Sequence, residues 1–395
     1  MILKSDSPQT TAGEDIARQV EHFVREVIAP FESDARCEAH GPSEILVQEI
    51  RGLARESSLM TPHILPDGTH LSHRDTAKVL IAAGLSPLGP IALNVMAPDE
   101  GNMFLLGQVG TAEQQERYLK PIIRGEARSA FFMTEPAELG GAGSDPSMLM
   151  TTAVKEGAEW VINGAKAFIT GAEGAEVAII MAKTDNSATM FLSSMPNPAI
   201  KIDRILDTID SSMPGGHAII SIDGLRVDED NILGEVDEGF RYAQIRLAPA
   251  RLTHCMRWLG GCIRAQEIAV AYACKRQAFG KRLIDHEGVG FMLAENEIAL
   301  QRSKLMIEWC ADVLDSGSLG TAESSMTKVA VSEDLFRIAD RCVQVMGGLG
   351  VSGDTIVEQI FREVRAFRIY DGPTEVHKWS LAKRIKRNFA GQDQS

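Results

Sequence analysis

Apolar positions recur at helical spacing near the start of the chain: Ile16, Val20, Phe23, Val24 and Val27 share one face before Pro30 interrupts the run. A Pro/Gly/His turn region, Thr61 to His73, leads into a helical run over Asp75 to Gly84. The small apolar stretch 88–109 reads as a buried helix hairpin. Thr111-Ala-Glu-Gln predicts a helix start, with Thr111 as N-cap and Gln114 at N3 bonding back to it. Pro121 and Gly125 close the segment, so 1–125 reads as an N-terminal helical domain.

The pattern then shortens. Met150–Val154, Glu159–Asn163, Val177–Ala182, Thr189–Ser193, Ala218–Ile222 and Leu225–Val227 are strand-like. Turn signals punctuate them at Glu156-Gly157, Asn163-Gly164, Asp185-Asn186 and Pro196-Asn197-Pro198. Closely spaced short strands predict a central β domain over 126–236, a small sheet or barrel. From Gly239 helical periodicity returns, with runs at 240–274, 288–316, 321–347, 355–369 and 374–388 forming a C-terminal helical bundle over 237–395. The fold class is α+β, ordered helices, strands, helices.

Composition narrows the function. Apolar residues make up 44% of the 395, enough for a substantial core. The net charge of −14 disfavours a phosphate backbone as principal partner, so nucleic acid is not expected. The six cysteines form no Cys-x-x-Cys pair and read as reduced helix residues of a cytoplasmic protein, without metal ligation. No apolar run reaches 18 residues, so no membrane span is expected. The start, Met-Ile-Leu-Lys-Ser-Asp, lacks a secretory apolar region, and the end, Gly-Gln-Asp-Gln-Ser, is not a peroxisomal address.

One carboxylate stands out. Tyr370-Asp371-Gly372-Pro373 interrupts two helical runs, and Asp371 there is either a turn or N-cap residue or a general base at a pocket mouth. The loop around Phe131-Phe-Met-Thr-Glu-Pro136 and Ala142-Gly-Ser-Asp145 is either plain surface or a backbone cradle for an anion or flat polar ring. Gly347-Gly-Leu-Gly350 follows a helix, not the strand that a dinucleotide fingerprint needs. His254 and Cys255 lie within a helix and read as core.

Taken together and in this order, the segments resemble the acyl-CoA dehydrogenase flavoprotein family over about residues 12 to 388. The matching pieces are Gly110-Thr-Ala-Glu-Gln-Gln-Glu-Arg-Tyr-Leu119, Met133-Thr-Glu-Pro136, Ala142-Gly-Ser-Asp145, Ile162-Asn-Gly164 with Ile169-Thr170, Arg276-x-x-Phe-Gly-Lys281, Gln344-x-x-Gly-Gly348 and Tyr370-Asp-Gly372. Ala97-Pro-Asp-x-Gly-Asn-Met103, Arg251-x-x-His-Cys-Met-Arg257 and Asp371-Gly-Pro-x-Glu-Val-His377 are most similar to the branch of family members ten and eleven. The kinase-like domain of some members is not expected here.

The resemblance implies FAD between the β domain and the C-terminal bundle, with part of the site from a neighbouring subunit. Met133 and Thr134 would touch the isoalloxazine, with Phe168 and Thr170 along its other edge. Arg276 would meet a neighbour's pyrophosphate beside Phe279, and Gln344, Gly347 and Gly348 would line the adenosine end. Thr374 and Glu375 would also meet FAD. Asp371 would remove the α-proton of an acyl-CoA, with its pKa raised by burial. Ser144, Arg251, Tyr370 and Gly372 would contact substrate. A homodimer or homotetramer, an electron-transfer flavoprotein as acceptor and a place in fatty-acid β-oxidation are implied too.

Three departures from the family pattern bear on this. The usual base is Glu, the Thr-Glu-Pro-x-Ala-Gly-Ser-Asp run is four residues longer with Ala137 to Gly141 between its halves, and Phe168 replaces a common Trp. An Asp base is shared with nitroalkane oxidase, a relative, so a flavin oxidase or monooxygenase on the same scaffold is the alternative.

Overall fold

The computed structural model describes residues 11–392. The readings of the first six residues and of the final three lie outside them. Helix α1 (Ala12–Phe23) opens at a reciprocal capping box between Thr11 and Glu14 and buries Val20 and Phe23. It packs on α3 (His73–Ala83), and between them in the chain runs α2 (Glu44–Glu56). The apolar stretch 88–109 forms a short helix, Gly89–Ala92, and then α4 (Asp99–Val109). The capping box of Thr111 and Gln114 is present.

The central strands are β1 (Ser129–Phe132), β2 (Thr152–Glu156), β3 (Glu159–Thr170), β4 (Val177–Lys183), β5 (Ala188–Ser194), β6 (Ile200–Leu206) and β7 (His217–Asp228). They order as β1-β4-β2-β3-β7-β6, with β5 beside β4, in one curled, open half-barrel. β1 runs parallel to β4, while β3–β7, β7–β6 and β4–β5 are antiparallel.

Asn163-Gly164 is a turn by composition but lies inside β3, which continues to Thr170. The register with β7 slips there, Gly164 adopts φ +156°, and Asn163 Oδ1 accepts from the Gly224 N–H at 2.7 Å. The extra residue is on β7, where Asp223 and Gly224 stand opposite Asn163, so β3 bends there without ending. A second slip, between Lys166 and Ile169, puts Phe168 at φ +56° with its ring 64% exposed.

The C-terminal part begins with α5 (Gly239–Lys275), then the hairpin β8 (Gln277–Ala278) and β9 (Lys281–Arg282). α6 (Glu287–Asp315), α7 (Thr321–Met346), α8 (Val357–Phe367) and α9 (Thr374–Gln392) follow. Helix α5 is buried on every side from Ala248 to Cys262, the signature of a helix at the centre of a fold. It touches α3 and α4 on one flank and α6, α7 and α8 on the other. One apolar core accordingly runs from Val20 of α1 through Leu252 and Met256 to Phe367 of α8. No helix among the described residues is long and apolar enough to cross a membrane.

Candidate active site

Helix α8 stops at Phe367 and α9 starts at Thr374, leaving Asp371 on the connecting turn at φ +54° and Gly372 at φ +102°. Such angles strain a side chain, so the surroundings must impose them. Arg251 Nε of α5 donates to the Asp371 carbonyl at 3.2 Å, and His377 Nε2 of α9 lies 3.1 Å from the same oxygen. Lys328 Nζ of α7 donates to the Gly372 carbonyl at 2.7 Å. Three helices thus clamp two consecutive carbonyls. Burial pushes the Lys328 ammonium down to about 8 and the His377 imidazole down to about 4. A Cβ on Gly372 would stand 2.6 Å from His377 Nε2, so only glycine fits. Thr374, the first residue of α9, donates to Glu333 Oε1 at 2.8 Å.

The Asp371 side chain is 20% exposed, yet its Oδ2 is buried and has no hydrogen-bond partner among the described residues. The nearest group is His254 Nε2 at 3.4 Å. Burial alone would raise the carboxyl's pKa, as the sequence suggests. His254, Arg246 and Arg251 outweigh it and hold Asp371 well below the usual carboxylate range. Burial, with Arg257, pushes the His254 imidazole down against the pull of Asp371 and Glu100. The expected raised pKa is corrected on this point: the desolvating wall is there, but the guanidiniums of Arg246 and Arg251 and the imidazole of His254 face the carboxylate across it.

His254 is buried, as its helical position predicts, but it packs between Phe367 and Tyr370, with ring centroids 5.9 and 4.9 Å away. The Tyr370 hydroxyl accepts from Trp258 Nε1 at 2.6 Å. Arg246 lies 4.2 Å over the Phe131 ring of β1 and donates to Asn102 at 2.8 Å. One guanidinium thus joins the sheet edge to the charge field of Asp371.

On the sheet side, Thr134 donates to the Ala167 carbonyl at 2.5 Å and accepts from its N–H at 2.9 Å through the backbone carbonyl. This double link sets Met133 and Thr134 beside the bulge that presents Phe168. Thr170 Oγ1 lies 2.9 Å from His217 Nδ1. The buried Glu135 carboxylate accepts from the backbone N–H groups of Ala142, Met150 and Thr151 and from Lys166 Nζ at 3.0 Å. Burial lowers the Lys166 ammonium to about 8, with Glu135 opposing.

The structure thus gathers Met133, Thr134, Phe168 and Thr170 on adjoining strand segments, and Arg251, Tyr370, Asp371, Gly372 and Thr374 around the turn. Arg276 and Phe279 stand on the β8–β9 hairpin, Phe279 at φ +52° and 96% exposed. Gln344, Gly347 and Gly348 lie exposed at the end of α7, Glu375 is exposed on α9, and Ser144 is exposed on its loop. These five groups are not drawn into the cluster at the turn within this chain. Arg246, Lys328 and His217 were not singled out by sequence, His254 was read as core, and His377 was named only as the end of a motif. Arg251 and His254, three apart on a helix, share a face, which was a usable signal. Lys328 amid Thr327, Val329, Ala330 and Val331 was another. A buried carboxylate oxygen without a donor and a Phe ring held outward by strained backbone suit a flat, largely apolar ring carrying polar edges.

Domain profiles described as acyl-CoA dehydrogenase N-terminal, middle and C-terminal domains match residues 10–126, 130–213 and 237–386. The chain belongs to the acyl-CoA dehydrogenase family. It is 33% identical to acyl-CoA dehydrogenase family member 11 of Homo sapiens, over 97% of this chain and 51% of the human one. The probable acyl-CoA dehydrogenase FadE2 of Mycobacterium tuberculosis is 33% identical, over 95% of this chain and 97% of its own. The chain spans about half the length of the family member 11 relatives it matches. A solved Mycobacterium abscessus protein, described as an acyl-CoA dehydrogenase, is 32% identical and superposes with TM-score 0.87 over 97% of this chain and 100% of that one. A glutaryl-CoA dehydrogenase of Mycobacterium smegmatis, solved in complex with FADH2, shares the fold at 22% identity and TM-score 0.84, over 95% of each chain.

Proposed function

We propose that this acyl-CoA dehydrogenase family member is an FAD-dependent enzyme that introduces an α,β double bond into an acyl-CoA thioester. The observation that carries the reading is Asp371, an ionised carboxylate with one unhydrogen-bonded oxygen on a clamped turn. Met133, Thr134, Phe168, Thr170 and Thr374 would hold the flavin ring of this chain's own site. Arg276, with Phe279 beside it, would serve a neighbour's pyrophosphate, Gln344, Gly347 and Gly348 would line the adenosine end, and Glu375 would also meet FAD. When bound, FAD supplies the two-electron acceptor for the hydrogen leaving Cβ.

The remaining chemistry belongs to the chain. Asp371 takes the α-proton while the Cα–Cβ double bond forms. The Asp371 backbone N–H donates to the thioester oxygen, where negative charge develops. Arg251 and Lys328 fix that N–H by holding the adjoining carbonyls. Arg251, Tyr370 and Gly372 would contact substrate at the turn, with Ser144 near the thioester from its own loop. We place domain boundaries at 1–125, 126–236 and 237–395, and electrons pass to an electron-transfer flavoprotein.

A second copy is the proposed neighbour, in a homodimer or homotetramer. Phe291, Ile298 and Leu305 of α6 recur every seven residues and are 65%, 65% and 55% exposed, a stripe suited to another helix. Sedimentation of the purified protein tests this.

The function is tested by adding acyl-CoAs of varied chain length anaerobically and following flavin bleaching. Asp371→Asn should keep FAD and lose bleaching by about 10²–10⁴-fold, the weight of a general base. Turnover retained by the variant would refute the assignment. Reduced enzyme that reoxidises in air within seconds, forming peroxide, would favour an oxidase on the same scaffold.

A further inference from the structure

Behind the sheet-side cluster lies a chain of hydrogen bonds that the proposed chemistry does not use. Thr170 closes β3 and pairs across the sheet with His217, the first residue of β7. The Thr170 hydroxyl meets His217 Nδ1 at 2.9 Å, and His217 Nε2 meets Asp210 Oδ2 at 2.8 Å. Asp210 is 6% exposed and the His217 side chain 12%, so water does not compete freely for these bonds. Burial would raise the Asp210 carboxyl, but the His217 contact and Thr208 hold it below its ordinary value.

The direction of each bond follows from the far end. An ionised carboxylate can only accept, so His217 Nε2 carries the proton. A neutral imidazole carries one N–H; in that form, with Nε2 protonated toward Asp210, the Nδ1 that lies 2.9 Å from the Thr170 hydroxyl is bare and accepts from it. A hydroxyl has one proton. Once that proton is committed rearward, Thr170 offers only lone pairs to whatever lies in front.

We propose that Asp210 and His217 are positioning residues that lock the Thr170 hydroxyl as a pure acceptor toward the flavin edge. This rests on the reading that Thr170 faces the flavin. An acceptor-only hydroxyl favours the redox form with an N–H at that edge, which is the reduced one. The pair therefore raises the flavin's midpoint potential. Cutting the chain frees the hydroxyl to donate to a ring nitrogen, which favours the oxidised form and lowers the potential.

The test has two parts. In the protein without FAD, nitrogen-15 NMR of His217 at about pH 8, above the ordinary imidazole pKa, should show Nε2 protonated and Nδ1 bare. A protonated Nδ1 overturns the inference and leaves the proposed function standing. In the FAD-loaded protein, midpoint potentials are compared for wild type, His217→Leu, His217→Asn, Thr170→Val and His217→Leu with Thr170→Val. His217→Leu should retain FAD and lower the potential. His217→Asn, whose amide oxygen can occupy the Nδ1 position, should restore it. In the Thr170→Val background, His217→Leu should change nothing further. An equal shift in that background, an Asn variant no better than Leu, or no shift at all overturns the proposal. If Thr170→Val alone leaves the potential at the wild-type value, Thr170 does not face the ring and the inference falls with that assignment. A wild-type protein that binds no FAD defeats the proposed function first.

Discussion

At the scale of single residues, the groups around Asp371 favour its ionised form. A base must be deprotonated to act, and its folded pKa is held below the ordinary value by His254, Arg246 and Arg251, which outweigh burial. Activity should therefore show no acid limb from Asp371 above about pH 4, the ordinary Asp value. A kcat/KM profile on a slow acyl-CoA checks this; a limb near pH 6 assigned to Asp371 would contradict it. His254→Leu removes the nearest neighbour at 3.4 Å and leaves the buried Oδ2 facing apolar surface. The limb should then move upward into the measurable range, with FAD content unchanged. This pairing was hidden in the sequence because a lone His inside a helix looks like core, and here it is both core and neighbour to the carboxylate.

At the scale of elements, the turn between α8 and α9 was legible, since Gly372 and Pro373 cannot continue a helix. What clamps it was not. Arg251, Lys328 and His377 come from α5, α7 and α9, and their convergence depends on packing that local periodicity does not encode. Gly372→Ala tests the clamp. Its Cβ would collide with His377, and φ +102° is unfavourable for alanine. Unfolding should be easier by about 1–3 kcal/mol, and turnover should fall because the Asp371 N–H moves with the turn. Urea denaturation and steady-state rates on the same samples check both. The β domain shows the opposite kind of misreading. Asn163-Gly164 has turn composition, yet its strand runs on, because the extra residue of the bulge lies across the sheet at Asp223-Gly224, where the Gly224 N–H meets Asn163 Oδ1. A second bulge, this time with its extra residue in β3 at Ala167-Phe168, follows and exposes Phe168.

At the scale of the molecule, the order helices, strands, helices was readable because each period differs from the next. The joints between these parts were not. Glu363 of α8 is one: its buried carboxylate accepts from the Ser211 N–H at 2.7 Å and from Ser212 Oγ at 2.8 Å, on the loop between β6 and β7. Burial, with Asp210 nearby, pushes it up to about 7. The folded protein then binds a proton that the unfolded chain has released, between the ordinary Glu value near 4.5 and 7. This contribution to stability is full below that window and is lost as pH rises through it, by an amount of the order of 3 kcal/mol. Glu363→Gln should flatten that dependence and raise the melting temperature at about pH 8 relative to wild type, where the ordinary carboxyl is ionised. Calorimetry across the window checks it; a variant with the same pH slope as wild type would rule this joint out as its source.

Glu135 joins the molecule differently. By holding the N–H groups on both sides of the loop, at Ala142 and at Met150 and Thr151, it ties that loop off at the root. Whatever is threaded between those anchors is insulated from the sheet. Residues 137–140 can then be lengthened, shortened or exchanged like the tip of a tool, while Gly141 belongs to the handle, since a Cβ there would stand 2.5 Å from that of Glu135.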